Sequence, residues 1–166
     1  MAKSKASSSK LLYAAMALCA VSLVAMIIAL CVPRVERGDF TPPPFDAAAL
    51  KGEPTVDEGL GYTELSHEQL SYTVWLCGRV TVSEDGARLY LMNPEANSIW
   101  LKARLLSEDG KVLGESGLLR PGEYVEYVPL TEQVSVGDAI SIKVMTYEAE
   151  TYRSEGAVTL NVRIVG

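Results

Sequence analysis

A single histidine, His67, stands in the segment Ser66-His67-Glu68. One imidazole can serve as a general base or supply one metal ligand, but each role needs partners. No HExxH or CxxC spacing occurs, so no His-rich or Cys-rich metal site is expected. A Ser-His-Asp triad would need His67 in a cleft, and its neighbours do not place it in one. It reads as a surface residue leading into the fold. Glu115, Glu123, Glu126, Glu132, Asp138, Glu148 and Glu150 are scattered and form no Asp-x-Asp-x-Asp-Gly calcium loop. Asp85 and Asp109 each precede a glycine and suit turns. Asn93 and Asn97 flank a proline turn, where capping explains them without a ligand. The Gly-rich stretch 114–122 has no following helix and so is no phosphate loop. Catalytic residues, metal ligands and cofactor-binding residues are therefore none, no cofactor is implied, and the chain does not read as an enzyme.

Aromatic side chains are the remaining chemistry. Trp75, Trp100, Tyr90, Tyr127 and Tyr147 fall on the polar phase of alternating segments. If one sheet face is solvated, some of them form an exposed adhesive patch. The alternative is that they cover a domain edge or a stalk. The polar connection 148–155, with Tyr152 and Arg153 at its centre, is the loop best suited to contact a partner.

The elements that would carry these residues are strands. Tyr72, Val74, Leu76, Val80 and Val82 share one face of a period-two segment, with Gly78 interrupting it as a bulge or close crossing. Leu89 and Leu91 begin a second strand, which Asn93-Pro94 ends. Ile99, Leu101, Ala103 and Leu105 face inward on a third, and residues 112–116 form a fourth. Residues 124–128 form the fifth. Ile140, Ile142 and Val144 mark the sixth; Val158, Leu160, Val162 and Ile164 mark the seventh. Glu84-Asp85-Gly86, Ser107-Glu108-Asp109-Gly110, Arg120-Pro121-Gly122 and Val136-Gly137-Asp138 supply the turns. About seven half-apolar strands at this spacing predict an all-β, immunoglobulin-like antiparallel sandwich over residues 71–166. The Cys…Trp…Cys core of antibody domains is absent, so the comparison is one of architecture. Cys77 is the one cysteine there, and no disulfide can form within the domain.

Residues 11–32 carry no charge. At about 1.5 Å per residue they make a helix roughly 33 Å long, enough to cross a bilayer. The run exceeds the 7–15 residues of a cleaved signal peptide and has no Ala-x-Ala exit. Leu18 before Cys19 and Leu30 before Cys31 fit no lipoprotein signal. An uncleaved transmembrane signal anchor is expected. Lys3, Lys5 and Lys10 precede it, against Arg34 and Arg37 just after it. That bias puts arm 1–10 in the cytoplasm and the C-terminal domain outside the cell membrane, held by a single pass.

Residues 33–70 read as a Pro-rich linker. Pro42-Pro43-Pro44 favours a stiff extended segment, either an SH3-type ligand or a spacer, and outside a cell the spacer fits better. Residues 33–166 hold 12 Lys and Arg against 21 Asp and Glu. That acidic balance argues against nucleic acid as a partner.

Asn93-Pro94-Glu95-Ala96-Asn97, Asp109-Gly110-Lys111-Val112-Leu113 and Ser116-Gly117-Leu118-Leu119-Arg120-Pro121-Gly122 carry a resemblance. Over residues 89–166 the chain resembles uncharacterised envelope proteins of gut Firmicutes that join an N-terminal apolar segment and Pro-rich linker to one β-sandwich. It departs from them where Ala139 follows Gly137-Asp138 in place of a tyrosine. A more distant likeness is to intracellular proteinase inhibitor-like sandwich domains. The resemblance implies a bacterial surface module and brings no activity with it.

The function expected is thus a membrane-anchored extracytoplasmic module that binds a protein or glycan partner or plays a structural role at the cell envelope. The alternatives are an accessory subunit of a secretion or conjugation machine, and a protease-inhibitor-like domain using loop 148–155.

Overall fold

Strict alternation makes the two longest central strands. In β6 (Ile99–Ser107) the side chains of Leu101, Ala103 and Leu105 are fully buried while Trp100, Lys102 and Arg104 are half-buried. In β9 (Ala139–Glu148) Ile140, Ile142, Val144 and Thr146 are buried. The strands pair antiparallel with Leu101 opposite Thr146 and Leu105 opposite Ile142, so one face of both is apolar. The computed structural model describes residues 5–31, 40–65 and 72–166, and within its helix the side chains of residues 12–27. His67 and linker residues 33–39 and 66–70 lie outside the described residues.

Among the described residues, ten strands form two antiparallel sheets. One is β10-β9-β6-β7, with β7 at Val112–Glu115 and β10 at Ser154–Arg163. The other runs in the order β1-β8-β5-β3-β2, and β4 also pairs with β5. Its members are β1 (Leu50–Lys51), β2 (Tyr62–Leu65), β3 (Val74–Cys77), β4 (Thr81–Ser83), β5 (Gly86–Asn93) and β8 (Glu123–Val128). Val74, Leu76, Leu89, Leu91 and Val125 of this sheet share one buried cluster with Leu101, Ala103, Ile142 and Val144 of the other. Each such Leu, Ile or Val, fully buried, stabilises the fold by roughly 1.5–3 kcal/mol.

Ten strands replace the expected seven for two reasons. The first expected strand breaks at Gly78-Arg79, because the Gly78 and Arg79 amides donate to Gly61 O (3.0 Å) and Leu60 O (3.0 Å) instead of a neighbouring strand. Beyond the break Val82 is exposed rather than inward. β1 and β2 come from the expected linker. The two compact units divide at Thr41 and Pro42, so the sandwich begins well before residue 71.

Residues 42–46 are held in the same unit. Leu118 N donates to Pro44 O (2.9 Å), and Asp46 N donates to Leu118 O (2.9 Å). Asp46 also accepts from Gly117 N through Oδ2 (2.7 Å). A Cβ on Gly117 would lie 2.4 Å from the Asp46 backbone, so only glycine permits this approach. The triproline therefore leads into the sheet edge rather than merely spacing the domain.

Helix α1 spans Lys5–Cys31 in the N-terminal unit. Among the described residues no helix is long and apolar enough to cross a membrane. All but the last residue of the uncharged run 11–32 lies within α1.

Candidate functional site

The outward face of the six-stranded sheet carries a row of directly opposed residues. Glu64 on β2 pairs with Trp75 on β3, Trp75 with Met92 on β5, and Met92 with Tyr124 on β8. Tyr62, two residues before Glu64, shares that face. Its ring lies 5.5 Å from Trp75, tilted 34° to it. The Tyr62 hydroxyl donates to Met92 Sδ at 3.4 Å. These three side chains floor a groove of about 580 Å³.

Three connections wall the groove, each through a proline: Pro54 after β1, Pro94 after β5 and Pro121 before β8. A proline ring fixes φ, so the walls are stiff. Gly52 N donates to Gly122 O (2.9 Å) and ties two of the connections together. Gly122 has φ +77°, which the Pro121-Gly122 turn requires. Lys51, Glu53 and Glu95 complete the lining. None of these three takes part in an ion pair among the described residues, and the two carboxylates outnumber the one ammonium. Burial, with Cys77 and Glu53 adding, pushes the Tyr62 phenol well above its ordinary range, so it stays neutral.

Next to the groove the same face is covered. Cys77, opposite Tyr62 in register, is fully buried. Burial pushes its thiol up to about 11 even though Arg88 opposes the shift. A thiol held protonated is a poor nucleophile, which makes Cys77 a packing residue. Arg88 hydrogen-bonds the Tyr90 hydroxyl, lies over the Tyr90 and Tyr127 rings at 4.9 and 5.8 Å, and pairs with Asp57 at 2.8 Å. Asp57 belongs to the β1–β2 connection. Tyr90, at φ +50° where the β5–β8 register shifts, is 1% exposed. The expectation of a solvated outer face therefore fails at Tyr90, which is buried with Arg88 over its ring, while Tyr127 beside it is half-buried; Asp57, from a segment assigned to the linker, holds that Arg88.

The five expected aromatics do not form one patch. Trp75, Tyr90 and Tyr127 lie on one sheet, Trp100 and Tyr147 on the other. Trp100 packs edge-on against Phe45 and Tyr152, each at 4.9 Å. Arg120 sits 3.4 Å over the Phe45 ring. Loop 148–155 is drawn in at Tyr152, and Arg153 pairs with Glu148 (3.5 Å) and Glu155 (3.1 Å).

Asn93 and Asn97 form an internal clamp. Fully buried Asn93 donates through Nδ2 to Ile99 O (2.8 Å) and Leu119 O (3.0 Å), and accepts from Asn97 Nδ2 (2.7 Å). Asn97 exchanges two bonds with the Thr73 backbone, at 3.0 and 2.6 Å. The pair thereby joins the start of β6 and the 118–119 segment to the residue before β3. The acidic residues are likewise engaged structurally. Glu115 pairs with Lys102 (2.6 Å) and Arg104, Glu132 with Lys111 (2.9 Å), and Glu123 with Arg120 (3.5 Å). Asp138 caps Ser135 N (2.8 Å), and Asp109 accepts from the Ser107 hydroxyl in its turn. Among the described residues no three His, Cys, Asp or Glu side chains gather to share a metal ion.

Tyr62, Pro54, Glu53 and Lys51 escape the sequence reading because they lie in the expected linker. The run Tyr62-Thr63-Glu64-Leu65 does carry a short alternation. No family model, curated protein or solved structure matches the chain.

Proposed function

We infer that the chain is a membrane-tethered, immunoglobulin-like binding module of the bacterial cell envelope, and that it takes an extended peptide in the Tyr62–Trp75 groove. The aromatic floor between proline walls carries this reading. Extended, proline-containing segments dock against such surfaces because they surrender little conformational freedom. A glycan would need many side-chain donors and acceptors around the platform, and beside the Tyr62 hydroxyl and the Trp75 indole N–H the groove offers Lys51, Glu53 and Glu95. The two carboxylates favour a peptide with a basic residue next to its apolar ones. The tether rests on the uncharged residues 11–32, and the outward orientation on Lys3, Lys5 and Lys10. An inhibitor role would need a rigid protruding loop, and in loop 148–155 the central Tyr152 turns inward, edge-on against Trp100.

The test is a peptide array and a glycan array probed with the full chain in lipid nanodiscs. Binding to basic, proline-containing peptides is expected. Trp75→Ala should weaken it at least tenfold, while Trp100→Ala, on the other sheet, should leave it unchanged. Glycan binding alone, or peptide binding indifferent to Trp75→Ala, would overturn the reading.

A further inference from the structure

Sheet edges in this fold are treated unequally. β1 has two residues, and β2 has four. β7 is covered, because Leu113 O accepts from both Thr131 N (2.8 Å) and Thr131 Oγ1 (3.2 Å), and Gly114 bridges to Leu130. β10 is different. It runs for ten residues and pairs with β9 alone. Among the described residues no other strand meets its outer edge; the chain first contacts the other sheet at Ile164 and Val165, past its end. Such an edge is usually guarded by lysine, proline, a bulge or a central charge; β10 has a bulge only at its start, between Ser154 and Gly156. β10 has no lysine or proline, and residues 156–162 are uncharged. Its inward residues Val158 and Leu160 are only half-buried, whereas their β9 partners Val144 and Ile142 are fully buried.

The charges that β10 does carry are self-complementary. Glu155 lies four residues before Thr159, and Arg163 lies four after it. We propose that β10 pairs antiparallel with β10 of a second copy of this chain, about a two-fold axis at Thr159. That register sets Glu155, which lies in the bulge between Ser154 and Gly156 and pairs with Arg153 of its own chain, beside the partner's Arg163, and the reverse by symmetry. It also sets Val158 opposite the partner's Leu160, so the apolar row on the inner face continues across the junction. The neighbouring registers that keep the inner face apolar are worse. Moving the axis to Val158 sets Glu155 against the partner's Asn161 and leaves Arg163 opposite no residue of the partner's strand. Moving it to Leu160 sets Arg163 against the partner's Ala157. Opposite faces cannot mix, since a one-residue slip turns every side chain over. The resulting assembly is isologous, with one continuous sheet across both copies.

The test uses the full chain in detergent micelles with Cys19, Cys31 and Cys77 replaced by alanine. Thr159→Cys in that background should give a disulfide-linked dimer on mild oxidation, because opposed residues in an antiparallel pair lie within disulfide reach. Val136→Cys, exposed and off the strand, should not. By sedimentation, Glu155→Arg and Arg163→Glu should each weaken dimerisation about tenfold, and the double variant should restore it. Both side chains are exposed, so neither change disturbs the core. A monomeric parent chain would overturn the proposal. So would a dimer that forms no Thr159→Cys cross-link, or one indifferent to the charge reversals, since either places the contact elsewhere.

Discussion

Asn93 shows how a buried polar side chain can serve order instead of chemistry. Its amide satisfies two carbonyls from different segments, and its oxygen is satisfied by Asn97. Asn93→Ala leaves both carbonyls without that donor in a dry interior. A loss of about 2–4 kcal/mol is expected, read as a lower melting temperature of the full chain. Glu115 gives a pH-dependent case. Burial raises its carboxyl, but the hydrogen bonds and charges of Lys102 and Arg104 outweigh that and hold it below its ordinary value. A depressed carboxyl stabilises the fold above the unfolded-state value, and that stabilisation is lost as pH falls through the lower folded value. Glu115→Gln should therefore cost about 1 kcal/mol at pH 7. The gap from the parent should close as pH falls below the ordinary glutamate range, in melts run across a pH series.

The decisive elements are the short ones. β1 contributes two residues to the sheet and β2 four, yet they and their connection supply about half of the groove lining and the Asp57 that holds Arg88 over Tyr90. Without residues 42–65, Trp75, Cys77, Tyr90 and Met92 would face water on a sheet missing two strands. A fragment beginning at Ser71 is expected to melt without a cooperative transition or to aggregate. One beginning at Pro42 should give a single sharp transition. Circular dichroism melts of the two fragments check this. The same comparison distinguishes a linker from a structural segment, because deletion of a true spacer would leave the melt unchanged.

For the molecule as a whole, the proposed tether sets where the sandwich works. If residues 11–32 span a bilayer, the chain should stay in the membrane pellet after alkaline carbonate washing. External protease on wall-stripped cells should then digest the C-terminal unit and leave a small protected N-terminal piece. Release by carbonate, or full protection of the C-terminal unit, would contradict the tether and its orientation respectively. The long open edge of β10 also has its consequences at this scale, since an exposed strand of ten residues invites either specific pairing or aggregation.

Local pattern carried much of the fold. The phases of Leu101, Ala103 and Leu105, of Ile140, Ile142 and Val144, and of Val74 and Leu76 follow from a period of two, which any short window reveals. The turns at Asp109-Gly110 and Pro121-Gly122 follow from backbone preferences of single residues. The uncharged run of residues 11–32 is likewise a matter of composition. What tertiary structure alone decided is which face stays dry and which segments meet. Tyr90 looks outward by alternation and is buried with Arg88 against it, an arginine held in turn by Asp57 of the β1–β2 connection. Tyr62 and Trp75 face one another only through the β2–β3 register, and Pro54, Pro94 and Pro121 converge only once β1, β5 and β8 are neighbours. Periodicity is set by the backbone of one strand, whereas a groove is set by the pairing of several, and no single strand encodes its neighbours.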